Sequence, residues 1–394
     1  MALGERDEFF EGGLIRRVLH LFSVAGELHT AKSCAPAWEG KSRKRYMGRS
    51  VLLSGVPRWP RFCSISIALE DKTVEELHRG AYERFVESAG LDRHGKHTLT
   101  SDPAEADLIV FTEIGAQGLF AEPIRHHPYF RKYREKCFIF DPDDHSVPIL
   151  PGLYAGLSQN EYQPARTRTG YYLRREENPY LYFHDPQEHP RYLGSFLGAF
   201  TSHPIRPRLA GLPKDRFWIE DTTETLYALK RGNAEDRRDA YYSRYVDSMA
   251  QSAFALCPRG VCRGSIRLFE AMRIGRCPVI LSDGWVYPAR VDWSACSITV
   301  AEKDIPKLPE ILEAHRRRAA ELGRRAREEW EKYYSPESCF HWLVEDCLEM
   351  MAQRRTSERV AQLRAWLKLV NPRRFRLFLT SKKQMYRRYG RVLL

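Results

Sequence analysis

Arg259, Arg263, Ser265, Arg267 and Glu270 combine charge and spacing in a way that suits a phosphate followed by a sugar hydroxyl. Arg259 and Arg263 lie in a turn-rich loop, Pro258–Gly264, whose Gly260 and Gly264 let backbone approach a ligand closely. Ser265 occupies the N-cap position of a helix predicted over Ile266–Ile274, and Gly275 follows as its stop. A helix N-terminus offers unpaired N–H groups and a partial positive charge, so it favours anions. The arginines add fork-shaped donors matched to phosphate oxygens. Glu270 lies three residues beyond Arg267, on nearly the same helical face, where a carboxylate can accept hydrogen bonds from ribose hydroxyls. The competing reading is a solvated basic turn ahead of an ordinary helix. The glycine spacings of a P-loop and of a GxGxxG fingerprint are absent.

These residues need a scaffold, and the flanking sequence supplies one. Ala253–Cys257 and Cys277–Leu281 are short apolar runs of the length of buried strands, and Asp283-Gly284 ends the second. Strand, loop, helix and strand make one βαβ unit with parallel strands.

The run CPRGxxxxSxRxxEAxxxGxxPVIxSDGWxxP, from Cys257 to Pro288, resembles the signature of the exostosin family of glycosyltransferases, glycosyltransferase family 47. Ser101–Phe111, His127–Phe130 and Arg191–Phe200 resemble segments that the family carries in the same order, so the resemblance spans residues 60–345. It implies a GT-B architecture, with two Rossmann-like α/β domains whose parallel sheets face a central cleft. It also implies inverting transfer from a nucleotide-diphosphate sugar, a UDP-sugar first among them, with no metal and no other cofactor. In GT-B enzymes the loop after the second strand meets the donor sugar, which makes Asp283 a candidate; Asp-Gly is equally good turn chemistry.

Inverting transfer requires a general base for the acceptor hydroxyl. Asp143, Asp144 and His145, in the DPDDHS segment after a predicted strand at Cys137–Phe140, are candidates by position and chemistry. The segment matches the family only loosely, and it also reads as a turn. Glu113, His126 and His127 are the rivals. Tyr171, Tyr172 and Tyr180, in a Tyr/Pro-rich stretch at 151–190 read as a long loop or connector, suit sugar stacking in type, although packing is the commoner role of such tyrosines.

The remaining pattern alternates strands and helices, as a parallel sheet requires. Strands are predicted at Phe62–Leu69, Asp107–Phe111, Tyr192–Phe200, Phe217–Glu220 and Ser297–Val300. Helices are predicted at Val74–Ala89, Asp239–Ala250, most of Asp304–Tyr334, and Pro336–Met351. The resulting division is an N-terminal extension at 1–60, an acceptor-side domain at 61–190, a nucleotide-sugar domain at 191–345, and a terminal helix with a basic tail at 346–394.

The chain of 394 residues, 43% hydrophobic, is long enough for two cores. Its nine cysteines show neither disulfide nor zinc spacing and read as buried thiols, which favours a cytosolic setting. Arg16, Arg17 and His20 interrupt the apolar run near the N-terminus, and no segment approaches the roughly 18–20 apolar residues of a membrane span. Residues 352–394 hold thirteen Lys or Arg against one acid, Glu358. Their net charge of +12 equals that of the whole chain. With Leu363, Trp366, Leu367 and Val370 as an apolar stripe, this segment reads as attachment to an anionic membrane surface, placing the protein peripherally on the inner face. A solvated tail, a terminal helix docked across the domains and binding of nucleic-acid phosphates are the rivals, the last the least favoured. The acceptor expected on this reading is a glycan or a lipid-linked saccharide. The function from another class is a non-catalytic polyanion- or membrane-binding protein acting through this tail.

Overall fold

The computed structural model describes residues 61–65, 72–112, 121–142, 144, 147–172, 178–230, 232, 235–367, 379 and 383. The expectations for residues 1–60, Glu113, Asp143, His145 and nearly all of 368–394 lie outside this set. All described elements belong to one unit, Pro57–Leu394.

Two parallel sheets organise it. The first uses β1 (Arg61–Ile65), β2 (Thr98–Leu99), β3 (Leu108–Thr112), β4 (Cys137–Asp141), β5 (Gly152–Tyr154) and β6 (Thr167–Thr169), in the order β2-β1-β3-β4-β5-β6. Its helices are α1 (Lys72–Leu91), α2 (Glu122–His126) and α3 (Pro128–Tyr133). The second uses β7 (Tyr192–Gly198), β8 (Phe217–Asp221), β9 (Ser252–Pro258), β10 (Cys277–Leu281) and β11 (Ile298–Thr299), in the order β11-β10-β9-β7-β8. Around it run α4 (Thr223–Lys230), α5 (Glu235–Ala250), α6 (Ile266–Arg273), α7 (Trp293–Cys296), α8 (Leu308–His315) and α9 (Ala319–Tyr333). Helices α10 (Cys339–Gln353) and α11 (Glu358–Leu367) close the chain. Every strand pair within these sheets is parallel. The fold class is therefore α/β with two Rossmann-like parallel sheets, as the GT-B expectation has it.

The apolar runs explain the central strands. All residues of β3, β4, β9 and β10 are buried, as continuous hydrophobic runs covered on both faces should be. Helix α6 ends where its sequence says it must. Gly275 takes φ +81, its N–H bonds to Met272 O and that of Arg276 to Ala271 O, satisfying the last carbonyls.

The 151–190 stretch departs from its reading as loop. Gly152–Tyr154 and Thr167–Thr169 are strands that extend the first sheet beyond β4. At three residues each they are too short for periodicity to register, and the pairing partner rather than the local pattern makes them strands.

Helix α10 reaches across to the first sheet. Arg168 on β6 and Arg290 share the carboxylates of Asp346 and Glu349, at 2.6–2.9 Å. One apolar cluster contains Phe85, Val110 and Phe138 of the first half together with Phe269, Met272 and Phe340. The beginning of the basic tail is docked as well. Glu358, fully buried, pairs with buried Arg166 at 2.7 Å, and Arg125 stacks on Trp366 at 4.6 Å. The stripe expected at 363–370 is thus divided: Trp366 packs inward, while Leu363 and Leu367 are exposed. Among the described residues no helix is long and apolar enough to cross a membrane. Cys137, Cys257, Cys262, Cys277, Cys296, Cys339 and Cys347 are buried free thiols.

Candidate functional site

The second sheet dictates where a ligand belongs. β8 lies on one side of β7 and β9 on the other, so the strand order reverses between β7 and β9. At such a reversal the connections leave the two carboxyl ends in opposite directions, which is where open α/β sheets keep their ligand crevice. Arg206 lies at that point. Its guanidinium donates to Ala199 O at 3.0 Å, Arg259 O at 2.9 Å and Pro258 O at 3.3 Å, tying the segments after both strands. Burial, aided by the nearby charge of Arg267, lowers Arg206 to about 10, so it remains cationic at neutral pH. The sequence carried no periodic signal for it, because it sits between two prolines in a segment that folds only as turns and a short 3₁₀ helix.

The Pro258–Gly264 loop caps this crevice. Arg259 is mostly buried, 3.9 Å from Glu302, and its Nε has no hydrogen-bond partner. Burial and the neighbouring Arg263 lower its pKa, and Arg259, Arg206 and Arg263 help burial lower that of His203. Mutually opposing cations gathered at one point leave a positive potential that an anion relieves. Ser265 is the N-cap of α6 in extended conformation, and its side chain makes no cap hydrogen bond. Gly260 faces Arg206: a Cβ there would stand 3.2 Å from Nη2.

Arg267 and Glu270 sit deeper. Arg267 lies between the rings of Phe196 and Tyr245, 4.5 Å from each centroid, and donates to Leu197 O. It is 6% exposed, and its Nη1 is buried without a partner. Glu270 is half-buried and accepts the hydroxyl proton of buried Tyr245. Tyr245 itself keeps that proton, because burial raises its pKa strongly. Tyr245 and Met249 of α5 are both buried. Asp283 is held in a reciprocal pair with Glu302: its N–H donates to Glu302 Oε1 at 3.0 Å and its Oδ1 accepts Glu302 N–H at 3.1 Å. Its carbonyl accepts from Arg263.

The first sheet supplies the opposite wall. Gly156 and Gly264 allow it: a Cβ on Gly264 would lie 2.4 Å from Ala155 O, and one on Gly156 2.3 Å from Cys262 Cβ. Val286 N–H donates to Leu157 O at 3.0 Å and Gln159 N–H to Gly284 O at 3.1 Å. Asp144, exposed, accepts a hydrogen bond from the Cys262 thiol and contributes its charge to Arg206. Burial pushes Cys262 up to about 12, so it is no nucleophile. Tyr172 brings its hydroxyl within 3.4 Å of Cys262 Sγ. Tyr171 packs against Phe140 and Phe269, and Tyr180 donates to Asp239. Of the rival bases, His127 caps α3 by accepting Tyr129 N–H at 3.2 Å, and His126 contacts Arg131 at 3.0 Å.

Residues 175–315, which hold the whole arginine loop and the β7–β9 crevice, match the family model described as the Exostosin GT47 domain. Over this stretch the chain is exostosin-like in sequence. It is similar to parts of curated proteins: an exostosin-1 homolog of Caenorhabditis elegans, 41% identical over 92 residues, 23% of this chain and 24% of that one. A probable glucuronoxylan glucuronosyltransferase of Arabidopsis thaliana is 30% identical over 151 residues, 38% of this chain and 30% of that one. The chain thus spans less than a third of the length of either relative. Among solved structures, MurG of Acinetobacter baumannii superposes with a TM-score of 0.34 at 9% identity, over 73% of this chain and 98% of that one. WaaG, a glycosyltransferase involved in lipopolysaccharide biosynthesis, gives 0.35 at 14%, over 72% and 99%.

Proposed function

We propose that this protein transfers a sugar, with inversion and without a metal on the phosphates, from a nucleotide-diphosphate donor to a glycan or a lipid-linked saccharide. The observation that carries this reading is the concentration of opposed cations, Arg206, Arg259 and Arg263, at the N-terminus of α6 and the sheet's reversal point. In the proposed reaction the diphosphate sits against Arg259, Arg263 and the N–H groups at Ser265–Arg267. Glu270 receives a ribose hydroxyl. Asp144, on the facing wall, takes the proton of the acceptor hydroxyl. The acceptor oxygen bonds to the anomeric carbon, the bond to the diphosphate oxygen breaks, and the electron pair leaves on the diphosphate. Fixed positive charge stabilises that departing charge at no reorganisation cost. Several relatives are named as probable glucuronosyltransferases, which puts UDP-glucuronic acid among the first donors to try. Peripheral attachment to an anionic cytoplasmic membrane surface through 368–394 is part of the same proposal.

The test is calorimetric titration with UDP, GDP, CDP and their sugars, with and without EDTA. One preferred nucleotide, bound equally well in EDTA, is expected; absence of binding by all of them would refute the donor site.

A second reading has one observation in its favour. Arg131, Lys132, Arg134, Lys136, Arg354 and Arg355 line a groove of about 700 Å³, which suits a polyanion-binding protein without catalysis. Lys136 and Arg354 are already spent there on backbone carbonyls. Donor hydrolysis by a chain lacking 368–394 distinguishes the two. The cut belongs at 368 because α11 is anchored through Glu358.

A further inference from the structure

A second cluster of reactive side chains lies outside the β7–β9 crevice. His94 and His97 occupy the turn between α1 and β2. His341 and Glu345 are four residues apart on α10, hence on one helical face. Folding brings the two segments together. His97 Nε2 is 3.1 Å from Glu345 Oε1, and one ligand atom from each of His97, His341 and Glu345 lies within 4.8 Å of the others. His97 is 8% exposed and His341 2%. His94 stacks on His341 at 4.0 Å, and Trp342 closes the side with its edge to both rings.

The hydrogen-bond accounting of this cluster does not balance. His97 Nδ1, His341 Nδ1 and His94 Nε2 are all buried and unpartnered. Buried polar atoms are rarely left without a partner, so three unpartnered ring nitrogens mark this cluster as one that a bound ligand would reorganise. The geometry is that of a coordination shell about to tighten. Two ligands each about 2.0–2.2 Å from zinc at the tetrahedral angle lie roughly 3.3–3.5 Å apart. The His97–Glu345 pair is already near that value, and a ligand atom of His341 lies within 4.8 Å of both. Two imidazoles and one carboxylate suit a borderline cation; calcium and magnesium prefer all-oxygen shells. Arg290 does not oppose a cation fully, because it is engaged by Asp346 at 2.9 Å and Glu349 at 2.7 Å. Lys96 remains as a local positive charge.

We propose that His97, His341 and Glu345 bind one zinc ion, with His94 or water in the fourth position. The ion is structural. It clips the α1–β2 turn of the first sheet to α10, and takes no part in the transfer proposed above.

The test uses the full chain, stripped with EDTA and then titrated with Zn²⁺ or with Co²⁺ as a spectroscopic probe. Uptake of one equivalent, measured by elemental analysis, is expected. So is a tetrahedral Co²⁺ absorption without the intense thiolate charge-transfer band, and a Tm higher by at least about 2 °C in zinc than in EDTA. His97→Gln and Glu345→Gln should each weaken uptake at least tenfold, while the exposed His189→Gln control does not. Failure of the wild-type chain to take up stoichiometric metal overturns the site, whatever the variants do. A thiolate band, or uptake untouched by a folded variant, also overturns it by placing the metal elsewhere.

Discussion

Tyr245 on α5 donates its hydroxyl proton to Glu270 on α6, so the carboxylate expected to hold a ribose is already oriented by a buried phenol. Glu270→Ala should weaken nucleotide binding at least tenfold by calorimetry. It should also lower stability by about 1–3 kcal/mol, because the Tyr245 hydroxyl is left unsatisfied. Tyr245→Phe frees the carboxylate from its guide and should weaken binding less. Equal nucleotide affinity in wild type and Glu270→Ala removes Glu270 from the donor site.

Gly264 and Gly260 are both loop glycines, yet their substitution should differ. A Cβ at Gly264 meets the rigid carbonyl of Ala155 at 2.4 Å, whereas one at Gly260 meets the movable end of Arg206 at 3.2 Å. Gly264→Ala is expected to cost about 1–3 kcal/mol and to displace the loop, with loss of donor binding. Gly260→Ala should stay within about 1 kcal/mol of wild type. Chemical denaturation of the two variants side by side tests this; the opposite ranking would refute the wall formed by Ala155.

Arg263 and Arg267 separate binding from folding. Arg263 is half-exposed and bonds a carbonyl at the loop rim, so Arg263→Ala should leave Tm nearly unchanged and weaken diphosphate binding about tenfold or more. Arg267 is buried between two rings, so Arg267→Ala should destabilise by about 2–4 kcal/mol through lost stacking and a carbonyl left without its donor. Thermal melts with parallel calorimetry read both effects. A stable Arg267→Ala protein that merely binds nucleotide poorly would move Arg267 into the ligand site.

His127 predicts an acid sensitivity with a definite sign. Burial lowers its pKa below 6.5, and its neutral ring accepts the Tyr129 N–H that caps α3. Between the folded and unfolded values the unfolded chain binds more protons, so this contribution to stability is lost as pH falls below about 6.5. His127→Asn keeps a capping acceptor that does not titrate. Its Tm should therefore fall less than that of wild type between pH 7 and pH 5, and parallel slopes for the two proteins would exclude the cap as the cause.

Much of the second sheet was legible in the chain itself. Cys257 to Gly275 carries a buried run, a glycine-rich loop, an N-cap serine and a C-terminal glycine in sequence order. Each is a local requirement of backbone and burial, so strand, loop and helix follow from neighbours alone. The alternation of such units also determined the parallel α/β class, because parallel strands need crossovers.

Tertiary structure decided what depends on distant partners. Strands β5 and β6 exist because β4 offers an unpaired edge. Arg206 reaches the crevice because two strand ends, sixty residues apart in the chain, converge on it. Arg267 and Arg263 look alike in sequence, yet one is enclosed by Phe196 and Tyr245 while the other faces the loop rim. His97 and Glu345 carry no local signal of each other, being separated by 248 positions; only the packing of α10 on the α1–β2 turn makes them neighbours. Spacing along a chain determines local form, but burial and charge at a site are set by whatever the fold brings opposite.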